Sequence, residues 1–540
     1  ACTPVSSDGS YNFSNIYDGR TGDAAKIRLE FHGLPAPMEE GGTGVNSGGA
    51  VLFVAAGTCD ANLGVIDPSK FCGTDPILAA TSFVNGTNGT DTPGDAIVTW
   101  AYNATGATGP IKKVALKEHV GAVHGLVYSK ATSMLYSSAF LKRHIGLGSG
   151  GLGAIYVSDP FSANPNGAVF VTIPDAGSVP TNVDRGLGAA DALSLDADVF
   201  GLVGTMGLGD IEISADGKTL YAINLNNRRV YIVDIPTAAV TGFVDIPDPN
   251  CVGGVSRVGA AKIHEGSLFV GVTCDASISQ DRDDLLSKVY RMDLGTNVFS
   301  TIPEVIVPLD YIRNPAWNSG AYTDANTAGG ENFPAHTARW YPWLNTFSHA
   351  GFNTSLSGAT YSLSHPTPWL LDIEFDDNGN MLLGFADRTA HQFFSENVFP
   401  DGSGDLASVV SGGDLLRATL SSSGYTMEPL EYFGAAAEFF IGENFTSYEE
   451  TILGGLAVLP GSGEITANVI APDSLNSGGT RKLSSSTGAA LSNFQLYQGS
   501  QSLAGMGAGL GDLELICDGL PIVVGNRLWA DTNSNGVQDP

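Results

Sequence analysis

The sequence predicts an all-β fold, a β-propeller of six or seven blades with long loop insertions, and three observations carry that prediction. Short apolar runs return in one register along most of the chain. The links between them are hairpin turns built on Asp-Gly and Asn-Asn. The composition, with 69 glycines and 27 prolines in 540 residues, favours many turns and few long helices.

The clearest repeat runs from Gly207 to Ile235. It holds strand-like runs at Ile211–Ser214, Thr219–Asn224 and Arg229–Asp234, joined by Ala215-Asp216-Gly217 and Leu225-Asn226-Asn227. Strand, turn, strand, turn, strand is the inner three-quarters of a four-stranded blade. The register returns at Leu371–Phe375 with Met381–Phe385, and again at Gly509–Leu515. Looser copies are His124–Tyr128 with Met134–Ser138, Ala260–Ile263 with Ser267–Gly271, and Gly454–Val458. Radial repetition of small antiparallel sheets is how propellers protect strand edges. The pattern resembles propellers of the NHL/YVTN kind.

The ring is expected to close by pairing its ends, with Lys26–Phe31 and Asp512–Ile516 in one blade. The cysteines are Cys2, Cys59, Cys72, Cys251, Cys274 and Cys517, and no pair has C-x-x-C spacing. Proximity pairs Cys59 with Cys72 and Cys251 with Cys274, leaving Cys2 with Cys517, although six cysteines allow 15 connectivities. Two segments break blade spacing. Thr81 to Pro110 is rich in Asn, Gly and Thr and reads as a surface loop. The insertion 309–369 is too long for an inter-blade link and holds Trp317, Trp340, Trp343 and Trp369. It is either a lid over the ring, a partner interface anchored on Trp317, Trp340, Tyr341 and Trp343, or a sugar site.

The last residues form a different motif. Asp531, Asn533, Asn535, Gly536 and Asp539 stand at positions 1, 3, 5, 6 and 9 of a D-x-[DN]-x-[DN]-G calcium loop. Val537 would offer its carbonyl, and the twelfth position falls beyond Pro540. The segment Gly525–Pro540 resembles the opening of the B-type repeat domains of serine-aspartate (Sdr) surface adhesins. That resemblance implies that residues 1–520 are a propeller head, and that 521–540 begin an immunoglobulin-like β-sandwich stalk stiffened by calcium. The run from Gly509 to Ile522, followed by Gly525-Asn526-Arg527, also resembles a head-to-stalk junction of large secreted bacterial proteins.

Charge and motifs narrow the function. With 26 basic and 56 acidic residues the formal charge is −30, a field that repels nucleic acid. Apolar runs such as Ala50–Ala56 are strand-sized, short of a membrane span. The start at Ala1-Cys2 reads as a processed secretory product. No H-x-H, H-E-x-x-H or G-x-S-x-G occurs, and Gly-rich runs such as Gly146 to Gly153 lack G-K-[ST], so metal hydrolase, serine hydrolase and phosphate-cradle chemistries lack their signatures.

Asp210, Asp372 and Asp512 share one position at the start of innermost strands. They either ring a calcium ion or cap backbone amides. Glu212, Glu374 and Glu514 lie two residues on and face the same way. The expectation is a non-catalytic bacterial protein of the cell exterior, working in adhesion or matrix assembly, with a protein, glycan or second copy as partner. The alternatives are a propeller hydrolase or lactonase with a metal at the channel mouth, or a subunit of an external filament or sheath.

Overall fold

The structure, a computed structural model, describes residues 26–31, 39–41, 51–55, 64–66, 72, 75–87, 95–107, 111–190, 192–317, 337–352, 354–357, 360–430, 439–446, 448–499 and 503–517. The chain divides into two units, residues 72–518 and the two flanks 1–71 with 519–540. In the flanking unit Lys26–Glu30 pairs antiparallel with Val51–Ala55, and Glu39–Gly41 with Gly64–Ile66. The calcium loop Asp531–Asp539, the stalk 521–540, Cys2 and Cys59 lie outside the described residues.

Residues 72–518 form a six-bladed propeller. Blade 2 is Val123–Ser129, Met134–Ala139, Ala154–Ser158 and Ala168–Thr172, counted from the axis outward. Blade 3 is Leu208–Ile213, Thr219–Asn224, Arg229–Asp234 and Ala239–Asp245. Blade 4 is Ser256–His264, Ser267–Cys274 and Leu286–Asp293, with an outer strand split into Val298–Phe299 and Val305–Pro308. Blade 5 is Pro368–Phe375, Met381–Asp387, Asp414–Ser421 and Gly424–Met427. Blade 6 is Ile452–Val458, Glu464–Ile470, Ser477–Ser484 and Ala490–Gln498. Each inner strand neighbours the inner strands of the blades on both sides, which closes the ring.

Blade 1 supplies that closure and corrects one expectation. Its inner strand is Leu510–Ile516, from the far end of the sequence, and it pairs with Ile77–Ser82 rather than with Lys26–Phe31. Asp95–Ala101 and Lys112–Leu116 complete the blade. Ile77–Ser82 brings Leu78, Ala79 and Ala80, all buried, whereas Lys26–Glu30 has its own partner. Thr81–Pro110 is likewise no simple loop, since the strand Asp95–Ala101 inside it buries Ile97, Val98 and Trp100.

The cysteine pairing changes with the closure. Cys72 is bonded to Cys517 across 445 positions, and Cys251 to Cys274. The pairings Cys59–Cys72 and Cys2–Cys517 are therefore corrected. Cys72 precedes Ile77–Ser82 and Cys517 follows Leu510–Ile516, so the bond ties the two strands that close the ring. Disulfides of this kind belong to oxidising compartments such as the cell exterior. Among the described residues no helix is long and apolar enough to cross a membrane.

Candidate functional site

Antiparallel blades place all long connections at one end of the channel. The links from second to third strands, and from each blade to the next, gather where inner strands begin, here called the cap end. The short hairpins of the other end surround the opposite mouth.

Every inner strand carries a register irregularity at the same place, between Val123 and Leu126, Leu208 and Ile211, Val258 and Ala261, Leu370 and Asp372, Ile452 and Leu456, and Leu510 and Leu513. Such bulges re-aim side chains. In blades 1, 3 and 5 the position holds Asp512, Asp210 and Asp372, and each carboxylate reaches into the next blade. Asp512 accepts the Leu126 amide at 2.7 Å, Asp210 that of Ala261 at 2.9 Å and Asp372 that of Leu456 at 2.6 Å. The equivalent places in blades 2, 4 and 6 are Gly125, Ala260 and Gly455. A Cβ on Gly455 would stand 2.2 Å from Gly511 O, so the close approach of blade 6 to blade 1 needs glycine there. Between these pairs, Ser138 Oγ donates to Gly209 O at 2.6 Å and Asn468 Nδ2 to Gly511 O at 2.7 Å. The ring is thus three stapled pairs of blades, and the three aspartates cap backbone amides.

Two residues further along lie Glu212, Glu374 and Glu514. Blade 4 has Lys262 in the equivalent position, and its ammonium sits 2.7 Å from Glu374 and 3.5 Å from Glu212. Glu514 accepts the Tyr128 amide at 2.9 Å. The channel therefore carries its own cation. Burial pushes Glu212 and Asp512 up to about 7 and Glu514 up to about 8, against the opposing pull of the Lys262 ammonium and with a smaller push from the neighbouring glutamates. Burial opposes charge on Lys262, but Glu212, Glu374, Glu514 and Asp372 together raise its pKa above the usual lysine range.

These shifts fix a sign. The carboxyls titrate near pH 4 unfolded and near 7 to 8 folded. Between those limits the folded chain binds more protons, so its stability falls as pH rises through that window. Melting should therefore occur at higher temperature at pH 5 than at pH 8. Lys262→Met is expected to cost about 3–5 kcal/mol at pH 8, as for a buried pair broken on one side. At pH 5 it should cost much less, because protons can replace the ammonium. Denaturant melts at both pH values check this, and an equal loss at each would contradict it.

The cap end is closed. The segment Phe140–Ile145 leaves blade 2, Arg388–Phe394 leaves blade 5 on the opposite side, and the two meet. Lys142 Nζ donates to Ala390 O at 2.7 Å, and the Arg143 guanidinium to Val398 O at 2.8 Å and Leu195 O at 2.6 Å. Phe140 stacks on Trp369 at 5.5 Å and lies 5.0 Å from the His124 ring. His124 is fully buried, and burial followed by the Lys142 charge pushes its pKa down to about 3, so it stays neutral. Burial likewise holds Lys142 and His391 below their usual values.

The tryptophan insertion belongs to this closure, which corrects the partner-anchor expectation. Trp340 and Trp343 are fully buried, Trp317 is 5% exposed, and Tyr341 is half-buried against His365. Trp340 donates to Tyr311 Oη at 3.2 Å under the Arg313 guanidinium. Trp343 donates to Pro368 O at 2.9 Å, with Arg388 stacked 4.3 Å from its ring. Indoles with satisfied N–H groups and cations on their faces form the core of a lid.

Among the described residues one group of acidic, His or Cys side chains brings three possible metal ligands within 4.8 Å of one another, Asp414, Glu443 and Glu450, all buried in the cap. They could hold a hard divalent cation. The sequence reading missed this group, because Asp414 is about thirty positions from the other two and no motif links them. It also missed Lys142, Arg143, Arg388 and His391; the only signal was charge set among aromatics, as in Phe140-Leu141-Lys142-Arg143-His144.

No protein-family model matches the chain. Colossin-B of Dictyostelium discoideum is 25% identical over 567 residues, covering 98% of this chain and 14% of that protein. Colossin-A of the same organism is 26% identical, covering 100% of this chain and 5% of its own length. Colossin-C is 23% identical over 99% of this chain and 52% of its own length. The chain therefore spans only a small part of the first two relatives and about half of the third. The bacterial source expected from the Sdr-like segment finds no support in these relatives. Among solved structures, a chain of a nidogen/laminin complex shares 9% identity at a TM-score of 0.38, covering 82% of this chain and 98% of its own. A protein provisionally assigned as a 6-phosphogluconolactonase from Bacteroides uniformis shares 12% identity at a TM-score of 0.36, covering 81% of this chain and 99% of its own.

Proposed function

We propose that this chain is the head of an extracellular surface or matrix protein that works by binding a protein or glycan partner, not by catalysis, and that residues 521–540 begin a calcium-stiffened stalk whose calcium loop starts at Asp531. The observation that carries the reading is the closed channel. Its aspartates are engaged by backbone amides, Glu212 and Glu374 by Lys262, Glu514 by the Tyr128 amide, and its cap end is filled by buried rings and cations. Two disulfides support an exterior location. The colossin relatives match across nearly all of this chain and extend far beyond it, which supports its role as one module of a larger protein.

The rival reading, a metal-dependent propeller hydrolase, has one observation in its favour, the Asp414, Glu443 and Glu450 group. Each of the three is at most 1% exposed, a burial that argues against direct contact with a substrate. Binding of the labelled chain to extracellular matrix from the source cells should saturate and be competed by unlabelled chain. Turnover of lactone or ester substrates that is lost in Glu450→Gln would instead favour the hydrolase.

The stalk is tested separately. A chain continued through the twelfth loop position should gain thermal stability with calcium, and Asp531→Ala should remove that gain. No calcium-dependent gain in the continued chain would end the stalk proposal and leave the propeller untouched.

A further inference from the structure

We propose that a pocket at the cap end, beside blades 1 and 2, binds a single acidic sugar residue, a pyranose ring bearing one carboxylate, either free or at the end of a glycan. The choice of a sugar rests on the reading of the chain as an extracellular binding module. The pocket and its charge stand without that reading.

The cavity measures about 260 Å³ and opens to solvent. It is somewhat smaller than sites for drug-sized ligands, which run from roughly 300 Å³ upward. Its floor is the loop Gly146–Ser149, and a Cβ on Gly146 would stand 2.9 Å from Thr87 Cγ2 and 3.1 Å from Asn182 Nδ2. A side chain at Gly146 would therefore press on Thr87 and Asn182, two residues of the cavity lining. Asn182 pins this loop from both sides, accepting the Leu147 amide at 3.0 Å and donating to Leu147 O at 2.8 Å.

Lys117 gives the pocket its charge. It is 5% exposed, and its ammonium makes one hydrogen bond, to Asn85 O at 2.6 Å. No carboxylate of the described residues stands within 4.0 Å of it, although eleven other lysine and arginine side chains have such a partner, among them Lys262 and Arg185. An ammonium has three donors, so two remain for a ligand. A buried cation with no counter-charge is costly, and an entering carboxylate relieves that cost. Burial lowers its pKa to about 8, which leaves it charged at neutral pH.

The remaining lining suits a sugar. The Ser149 side chain is exposed and Glu118 half-exposed, giving a donor and an acceptor for ring hydroxyls. Leu147 and Val183, the latter 85% exposed at the rim, offer an apolar surface to the C–H face of the ring. Glu118 and the formal charge of −30 disfavour doubly charged anions such as phosphate or sulfate.

Calorimetry or saturation-transfer NMR of the whole chain with sodium glucuronate tests this. Expected results are a dissociation constant in the millimolar range, at least tenfold weaker binding of glucose and of acetate, and loss of affinity as pH rises through 8. Lys117→Met should weaken glucuronate at least tenfold without lowering the melting temperature. Should that variant fail to fold, Gly146→Ala, which displaces the lining side chains Thr87 and Asn182, should give the same loss. Acetate or an acidic peptide binding as tightly as glucuronate would overturn the sugar assignment. Glucuronate binding unchanged by both variants, or no binding at all, would overturn the site. Neither result bears on whether the protein is extracellular, which is read from its location on intact cells.

Discussion

Truncating Trp343 to alanine is expected to destabilise the propeller by about 3–5 kcal/mol, the range for a buried tryptophan. The indole is fully buried, its N–H donates to Pro368 O at 2.9 Å, and it meets Trp369 edge-on at 5.7 Å. Its removal empties the space between the insertion and blade 5, and leaves Arg388 without the ring it covers at 4.3 Å. Trp340→Ala should behave alike, since Arg313 lies 3.7 Å from its ring. Val183→Ser, at a site 85% exposed, is the control and should stay within about 0.5 kcal/mol. Chemical denaturation of the three variants reads the effect. If Trp343→Ala melted like the parent but lost binding to matrix, the insertion would be an exposed anchor after all.

The second large effect concerns the closure of the ring. Cys517→Ser should cost about 2–5 kcal/mol, the usual range for losing a native disulfide. The loss should concentrate on blade 1, whose inner strand Leu510–Ile516 is held to Ile77–Ser82 by strand pairing and by the Cys72–Cys517 bond. Limited proteolysis of the variant should therefore cut near Leu510–Ile516 before any other blade, while blades 3 and 4 persist with their Cys251–Cys274 bond. Peptide mapping without reductant should recover Cys72 joined to Cys517. Recovery of Cys517 joined to Cys2 would contradict the closure described above.

How much of this was legible in the sequence depended on how local each signal was. All six inner strands were visible, because they repeat one register and five of them sit within a few residues of their hairpin partner. Asp210, Asp372 and Asp512 stood out for the same reason, although a sequence alone left open whether their oxygens met amides or a cation. Lys262 occupies the register position of Glu212, but only the folded ring shows that one lysine faces three glutamates from other blades.

What stayed hidden was long-range. The partner of Leu510–Ile516 lies more than four hundred positions away, and Ile77-Leu78-Ala79-Ala80 has little of the β-branched character that marks a strand. Asp95–Ala101 was obscured by the Asn- and Gly-rich residues on either side of it. Composition could not choose between a lid core and an exposed anchor for the tryptophans, because their burial depends on how the insertion folds back on its own Tyr311, Arg313 and Pro368 and on Arg388 from the link that leaves blade 5. Asp414, Glu443 and Glu450 converge only through the links of blade 5 and the passage to blade 6.

An extracellular, disulfide-closed propeller that binds rather than catalyses is tested most directly by where it resides. Intact cells that make the protein can be labelled with a membrane-impermeant amine reagent, and the chain then recovered under non-reducing conditions. Labelling of the chain on unbroken cells, with Cys72 still joined to Cys517, is the expected result. Labelling only after the cells are lysed, with Cys72 and Cys517 as free thiols, would contradict it.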